Sequence, residues 1–172
     1  DVPTGREEDW RFTPMKRLHD LHKLSAAPAQ LSFQVSAPAG IETRESPLGE
    51  FPAADRISAA AAQLTDEALG VEVGADRSVD REIAISVTAN EAQAIGRLQL
   101  VVGTGSRATF VVEQHGNSAQ ALALTLRAGE NSSVRLIVLQ DGADSGAICA
   151  QHHLELGAGS TVDYRSATIG GG

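Results

Sequence analysis

Two similar stretches decide the fold: Gly103-Thr-Gly-Ser-Arg-Ala-Thr-Phe-Val-Val-Glu-Gln114 and Gly129-Glu-Asn-Ser-Ser-Val-Arg-Leu-Ile-Val-Leu-Gln140. Each begins with a glycine-containing turn and continues with alternating apolar and polar residues, the pattern of a half-buried β-strand. The spacing between them is 26 residues, and after a further 28 residues a third copy begins. The matched residues are Gly103, Gly129 and Gly157; Ala108, Val134 and Val162; Phe110, Leu136 and Tyr164; Val112 and Val138; and Gln114 and Gln140.

The strand that precedes each stretch repeats as well. Leu98, Leu100 and Val102 correspond to Leu124, Leu126 and Ala128, and then to His152, Leu154 and Leu156. Each unit therefore holds two short strands and two turns. A period in the high twenties predicts a solenoid in which each coil buries its inward row on its neighbours. We expect a right-handed parallel β-helix with equivalent side chains stacked about 4.8 Å apart.

The amino-acid composition suits a solenoid with a narrow interior and makes some classes of binding partner unfavourable. Hydrophobic residues make up 42% of the 172 residues and aromatic residues only 3%, so small and branched side chains must fill the core. The net charge of −8 disfavours binding to nucleic acid or to anionic membranes. No apolar run approaches the roughly 18 residues of a membrane span. The chain has a single cysteine, Cys149, which excludes an intramolecular disulfide and is consistent with a location in the reducing cytoplasm.

The first part of the chain differs from the repeats. We predict a helical region with a connector over 1–70 and the first coils of a β-helix over 71–172. Thr13 and Pro14 are typical of a helix start, and Met15, Leu18, Leu21 and Leu24 follow at helical spacing. The proline-containing stretch 25–52 is expected to be a connector with one strand at Leu31, Phe33 and Val35. An Ala-rich helix is predicted over 53–69, ended by Gly70.

Few residues suggest chemistry. Gly103, Gly105 and Ala108 match a dinucleotide-binding pattern, but the β-branched residues that follow favour a turn over a helix start. Cys149, His152 and His153 are the candidate metal ligands. Strand alternation places His153 on the face of Cys149 and His152 on the inward row, so these three residues form at most a partial site. His19 and His22 are interpreted as part of a solvated face. No catalytic residue or bound cofactor is predicted.

The stretch Gly5-Arg-Glu-Glu-Asp-Trp-Arg-Phe-Thr-Pro-Met-Lys-Arg-Leu18, together with Val138-Leu-Gln-Asp141 and Ala150-Gln-His-His153, resembles the SufB/SufD family of the SUF iron-sulfur cluster assembly system. The opening favours the SufD branch, of actinobacterial type. The resemblance implies a non-catalytic cytoplasmic scaffold that acts with SufB and the SufC ATPase, with an iron-sulfur cluster held transiently in the full complex. It also implies that further coils and SufC-docking helices belong to the whole protein.

Two other readings stay open. The chain could be a β-helical carbohydrate-active or carbohydrate-binding module, which needs an outward row of aromatic or charged residues across successive coils. It could also be a structural module whose helices close the end of the solenoid. In each case the last coil, ending near Ile169, presents unpaired strand edges, and we expect self-association through that edge.

Overall fold

The computed structural model describes residues 2–11, 14–24, 28–143 and 145–170 and is mainly β. Short 3-10 turns at Glu8–Trp10, Met15–Leu18 and Leu21–Lys23 come first. Eleven strands and one helix follow in the described residues: β1 (Ala29–Gln30), β2 (Ser32–Ser36), β3 (Glu42–Ser46), α1 (Arg56–Gln63), β4 (Ala68–Val73), β5 (Ile83–Thr88), β6 (Gln93–Val102), β7 (Arg107–Gly116), β8 (Ala119–Ala128), β9 (Ser133–Gly142), β10 (Ala147–Leu156) and β11 (Thr161–Gly170).

The strands form two sheets. Sheet A has the order β10-β8-β6-β4-β3, with β1 also paired to β6, and sheet B has the order β11-β9-β7-β5-β2. The pairs β3–β4 and β2–β5 are antiparallel, and the remaining pairs are parallel. From β4 onward, successive strands therefore belong to opposite sheets and pair with strands one coil away. This arrangement confirms the predicted parallel β-helix.

The register confirms the repeat residue by residue. Phe110 pairs with Leu136, and Leu136 pairs with Tyr164. In sheet A, Leu98 pairs with Leu124, which pairs with His152. The stack also extends one coil earlier than the sequence pattern indicated, because Ile83 pairs with Phe110 and Val71 with Leu100.

The core lies between the two sheets. Most inward side chains of β4 to β9 are apolar and buried, and the largest of them, including Phe110, Leu124 and Leu136, are fully buried. Inward residues of one sheet therefore pack against those of the other, as in any two-layer β structure. Apolar area removed from water along these rows is the main source of stability.

Glycines at one corner allow the coils to stack closely. A Cβ atom at Gly129 would lie 2.7 Å from the backbone nitrogen of Thr104, and one at Gly157 equally close to that of Glu130. Gly105 adopts φ +67°, as a turn requires, and Ser106 Oγ donates a hydrogen bond to the Gly74 carbonyl at 2.7 Å. The turn reading of this glycine pattern is confirmed.

The outer face of sheet A is covered by the chain itself. Ile57 and Ala61 of α1 and Leu21 of the third 3-10 turn pack on the outward side chains Ile95 and Ala121. Asp55 begins α1, because its carboxylate accepts a hydrogen bond from the Ser58 backbone N–H at 2.7 Å. An amphipathic helix here buries an apolar stripe of the sheet as well as its own.

Several local predictions need correction. The helix expected after Pro14 is two 3-10 turns, because His19 and Asp20 adopt left-handed backbone angles that interrupt it. Thr13, expected to cap that helix, lies outside the described residues. The Ala-rich helix spans only Arg56–Gln63 and does not end at Gly70, which lies inside β4.

The connector is more ordered than predicted. The strand expected at Leu31, Phe33 and Val35 is confirmed as β2, which begins at Ser32. Two further strands, β1 and β3, extend sheet A from the same stretch.

Candidate functional site

The three candidate ligand residues all lie on β10, but on different faces. Cys149 and His153 lie on the outer face, beside Ala121 and Thr125 of β8, whereas His152 lies beside Leu124 on the inner face. This is the alternation that the sequence predicted. Cys149 and His153 are four residues apart, which corresponds to roughly 13 Å along a strand. The structure therefore does not bring the three side chains together.

Cys149 borders a small, mostly apolar cavity of about 210 Å³. The cavity lies between the start of α1 and the outer face of sheet A, and Trp10, Leu18 and Ile57 line it. Burial, with a smaller contribution from the Asp55 carboxylate, raises the pKa of the Cys149 thiol to about 11. At neutral pH this cysteine is a protonated thiol, which is a poor nucleophile and a poor metal ligand.

His153 belongs to a charged cluster further along β10. Its Nε2 atom lies 3.4 Å from Glu155 Oε1, and Glu155 Oε2 accepts a hydrogen bond from Arg127 Nε at 2.8 Å. The Phe51 ring stands edge-on to the imidazole at 6.4 Å between centroids. These partly exposed contacts hold the ring of His153 at the rim of a groove.

His152 points into the solenoid. Its Nδ1 atom lies 2.6 Å from the Tyr164 hydroxyl of the facing sheet, and the two rings meet edge to face. The Nε2 atom is buried and has no hydrogen-bond partner among the described residues. Burial lowers the pKa of this imidazole. His152 is therefore a neutral ring that packs at the last described coil.

Metal binding finds little support in this geometry. Within residues 2–11, 14–24, 28–143 and 145–170, no three His, Cys, Asp or Glu side chains are close enough to hold an ion together. His19 is exposed, as expected of a solvated face, but that prediction is wrong for His22, which is buried. Its Nδ1 atom finds no hydrogen-bond partner in the described chain.

Sequence reasoning missed three side chains that hold residues 47–54, a segment we call the strap. Arg97 Nη2 donates a hydrogen bond to the Gly49 carbonyl at 2.8 Å, and Gln99 Nε2 donates one to the Pro47 carbonyl at 3.1 Å. Gln151 binds the strap at two points, donating to the Pro52 carbonyl at 2.6 Å and accepting from the Ala54 backbone N–H at 2.7 Å. One feature of the sequence could have indicated this role. These three long polar side chains lie on the outward face of the sheet, where neighbouring positions carry the small residues Ala121, Ala123 and Ala147.

Arg97 is the charged residue among these three side chains. It is 3% exposed, its guanidinium lies 5.8 Å from the centre of the Phe51 ring, and it also donates to the Ala62 carbonyl in the last turn of α1. A cation near the carboxyl end of a helix complements the helix dipole. Burial, and then the nearby Arg127, lowers the pKa of Arg97. Its contacts are those of a residue that joins α1, the strap and sheet A.

Comparison with known proteins identifies relatives along almost the whole chain. An iron-sulfur cluster assembly SufBD family protein of Mycobacterium leprae is 31% identical over 181 residues, which cover 99% of this chain and 46% of the relative. SufBD family proteins of Mycobacterium tuberculosis and Mycobacterium bovis are each 29% identical over 180 residues, covering 99% of this chain and 45% of the relative. The chain thus spans less than half the length of these relatives.

No family model matches the chain, and no solved structure matches it. No helix of the described residues is long and apolar enough to cross a membrane. The relatives cover the 3-10 turns, α1 and the β-helix alike, because 99% of the chain aligns with them. Over this aligned length the chain is similar to the SufBD family of iron-sulfur cluster assembly proteins, which confirms the resemblance that the sequence motifs indicated.

Proposed function

We propose that this chain is part of a SufD-type scaffold for iron-sulfur cluster assembly in the cytoplasm, acting with SufB and the SufC ATPase. The observation that carries the proposal is the similarity of 99% of the chain to proteins named for iron-sulfur cluster assembly. An in-register β-helix supports a scaffold role, because it supplies long rigid faces on which partners can be held at fixed distances. The cluster is cargo that passes through the complex.

A non-catalytic role for this region is part of the proposal. The thiol of Cys149 is held protonated by burial, and His152 is turned into the core. His153 is engaged with Glu155 and Phe51. We therefore expect these residues to support the fold, while turnover of ATP belongs to SufC.

The carbohydrate alternative gains no support from the outward rows of sheet B. Sugar-binding surfaces commonly present aromatic rings, yet the outward positions of β5, β7, β9 and β11 carry none. Residues such as Thr109, Arg135 and Asp163 follow one another along one such row without forming a repeated acidic or aromatic ladder.

The first experiment is affinity capture of the full-length protein that contains this region, expressed with a tag in its own cells. We expect SufB and SufC to be recovered together with it in constant ratio. Recovery of neither protein, from cells in which both are present, would contradict the proposal. An unrelated tagged β-helix protein is the control for nonspecific capture.

A second experiment tests the residues of β10 in the full-length complex. After anaerobic reconstitution with iron and sulfide, we expect the cluster absorbance of Cys149→Ser and His152→Asn variants to equal that of the parent. Circular dichroism of each variant checks that the fold is retained. Loss of absorbance in a folded Cys149→Ser variant would assign that thiol to the cluster and overturn the packing role.

A further inference from the structure

A groove of about 600 Å³ lies between the strap, the end of α1 and the outer face of sheet A. Phe51 and Pro52 of the strap and Ala62 of α1 contribute apolar side chains to its lining. Arg97 of β6 and His153 of β10 contribute polar groups. Pockets that bind small molecules commonly have this volume and combine apolar walls with a few polar groups. The groove therefore has the dimensions of a small-molecule site.

Arg97 is a buried cation that has no acidic partner. None of the ion pairs among the described residues involves it. A charged side chain is seldom this buried unless it is paired, because removing a charge from water is costly. The carbonyl oxygens of Gly49 and Ala62 each accept one hydrogen bond from the guanidinium. The guanidinium has five N–H donors, so three of them (5 − 2) have no acceptor in the described chain.

The nearest charged residues do not neutralise Arg97. Arg127 is close enough to repel it, and a Cβ atom at Gly49 would lie 3.6 Å from Nη2 of Arg127. The carboxylate of Glu155 already has two other partners. Its Oε2 atom accepts a hydrogen bond from Arg127 Nε at 2.8 Å, and its Oε1 atom lies 3.4 Å from His153 Nε2. Arg97 is therefore left without an anion on either side.

The charges around the groove balance in number but differ in burial. Arg97 and Arg127 are positive and Glu50 and Glu155 are negative, which gives 2 − 2 = 0. Both carboxylates are exposed, whereas Arg97 is 3% exposed. Water and salt screen exposed charges much more than buried ones. An anion inside the groove would therefore be attracted by Arg97 more strongly than it is repelled by the two carboxylates.

We propose that this groove binds a small organic anion, either a carboxylate or a phosphate ester. Its charged head pairs with Arg97, and its apolar body rests against Phe51 and Pro52. A planar guanidinium presents N–H groups that match two oxygen atoms of one carboxylate or phosphate. Gln63 at the end of α1 also lines the groove and carries an amide N–H donor for the same head. The site does not depend on the proposed role in cluster assembly.

A titration with three related ligands tests the recognition of charge. Chemical shifts of the isotope-labelled 172-residue protein are followed with phenylacetate, with phenyl phosphate and with the neutral phenylacetamide. We expect at least one of the two anions to bind with a dissociation constant of about 1 mM or below. That anion should bind at least about tenfold more tightly than phenylacetamide, and the tighter of the two identifies the preferred head group. The backbone amide signals of Gly49 and Gln63 should move, and that of Thr109 on sheet B should not.

Two variants locate the site. Arg97→Gln is expected to weaken binding of the anion at least about tenfold, down to the affinity for phenylacetamide, whereas Arg44→Gln at the edge of sheet A should have no effect. Because Arg97 also holds the strap, a second variant leaves it in place. Ala53→Trp fills the groove from an exposed position in the strap and should weaken binding by a similar factor. Ala158→Trp, the same change in an exposed corner turn, is its control.

Urea unfolding of each variant checks that the fold is retained. Three results would overturn the proposal. The first is equal affinity for the anions and for phenylacetamide, and the second is the absence of shifts with any ligand up to about 20 mM. The third is undiminished binding of the anion by a folded Ala53→Trp or Arg97→Gln variant, which would place the ligand elsewhere on the protein.

Discussion

His152 and Tyr164 lie on opposite sheets of the same coil, and a 2.6 Å contact between Nδ1 and the phenolic oxygen joins them across the interior. In the preceding coil the equivalent positions are Leu124 and Leu136, so these two rows of side chains change from apolar to polar at one step of the stack. Burial lowers the pKa of this imidazole, so the folded protein favours its neutral form.

This histidine predicts a pH dependence of stability. Since the folded-state pKa of His152 lies below the unfolded value of about 6.5, the unfolded chain binds the proton more readily. The stabilisation is present above the unfolded pKa and is lost as the pH falls toward the folded one. In urea unfolding at about pH 7.5 and about pH 5.5, His152→Asn should lose less stability on acidification than the parent. An equal loss in both proteins would contradict this, and His19→Asn at an exposed position is the control.

Gly129 predicts a large effect from one methyl group. Alanine there would place its Cβ atom 2.7 Å from the Thr104 backbone nitrogen, so two coils must separate. Gly129→Ala should lower the free energy of unfolding by about 2 kcal/mol or more. Gly74→Ala is the matched control, because no atom lies within 4 Å of its Cβ position, and it should change stability by less than about 1 kcal/mol. Similar values for the two variants in urea unfolding would be inconsistent with close stacking.

Leu136 occupies the middle of the interior ladder and is fully buried. Leu136→Ala removes packing from both neighbouring rungs and should cost about 2–5 kcal/mol of unfolding free energy. Leu48→Ala, at a position that is 40% exposed, should cost well under half as much. Thermal or chemical unfolding distinguishes the two, and an equal small cost would show that the ladder is not the core.

Cys149 predicts a slow reaction with alkylating agents. With a pKa of about 11 the thiol has almost no thiolate at neutral pH, and α1 and Trp10 restrict access to it. Mass spectrometry after iodoacetamide treatment at neutral pH should find the folded protein unmodified and the urea-unfolded protein fully modified. Complete labelling of the folded protein within minutes would refute this environment.

The sequence predicted the later coils in detail because their repeat is regular. Offsets of 26 and 28 residues keep Phe110, Leu136 and Tyr164 in one ladder, and the structure pairs them in that register. The first coil escaped detection because its offsets differ: Val71 pairs with Leu100, but Ile83 pairs with Phe110. A pattern search at one spacing cannot align strands whose connecting turns vary in length.

The first third of the chain was harder to predict for physical reasons. Met15, Leu18 and Leu21 have helical spacing, yet the backbone at His19 and Asp20 is left-handed, and local propensity gives no sign of this. The split run packs on sheet A through Leu21, so tertiary contacts decide its shape. Cys149, His152 and His153 were assigned to their faces correctly by alternation alone. The cavity beside Cys149 and the contacts of His152 with Tyr164 and of His153 with Glu155 required the structure.

The strap ties together coils that do not touch. Arg97 on β6 holds it at Gly49, and Gln151 on β10 holds it at Pro52 and Ala54, with β8 lying between those two strands. In a plain solenoid each coil interacts only with its immediate neighbours, so the ends can fray one at a time. Here, peeling away β10 must also release a segment anchored two strands deeper, which converts gradual end-fraying into a single all-or-none event.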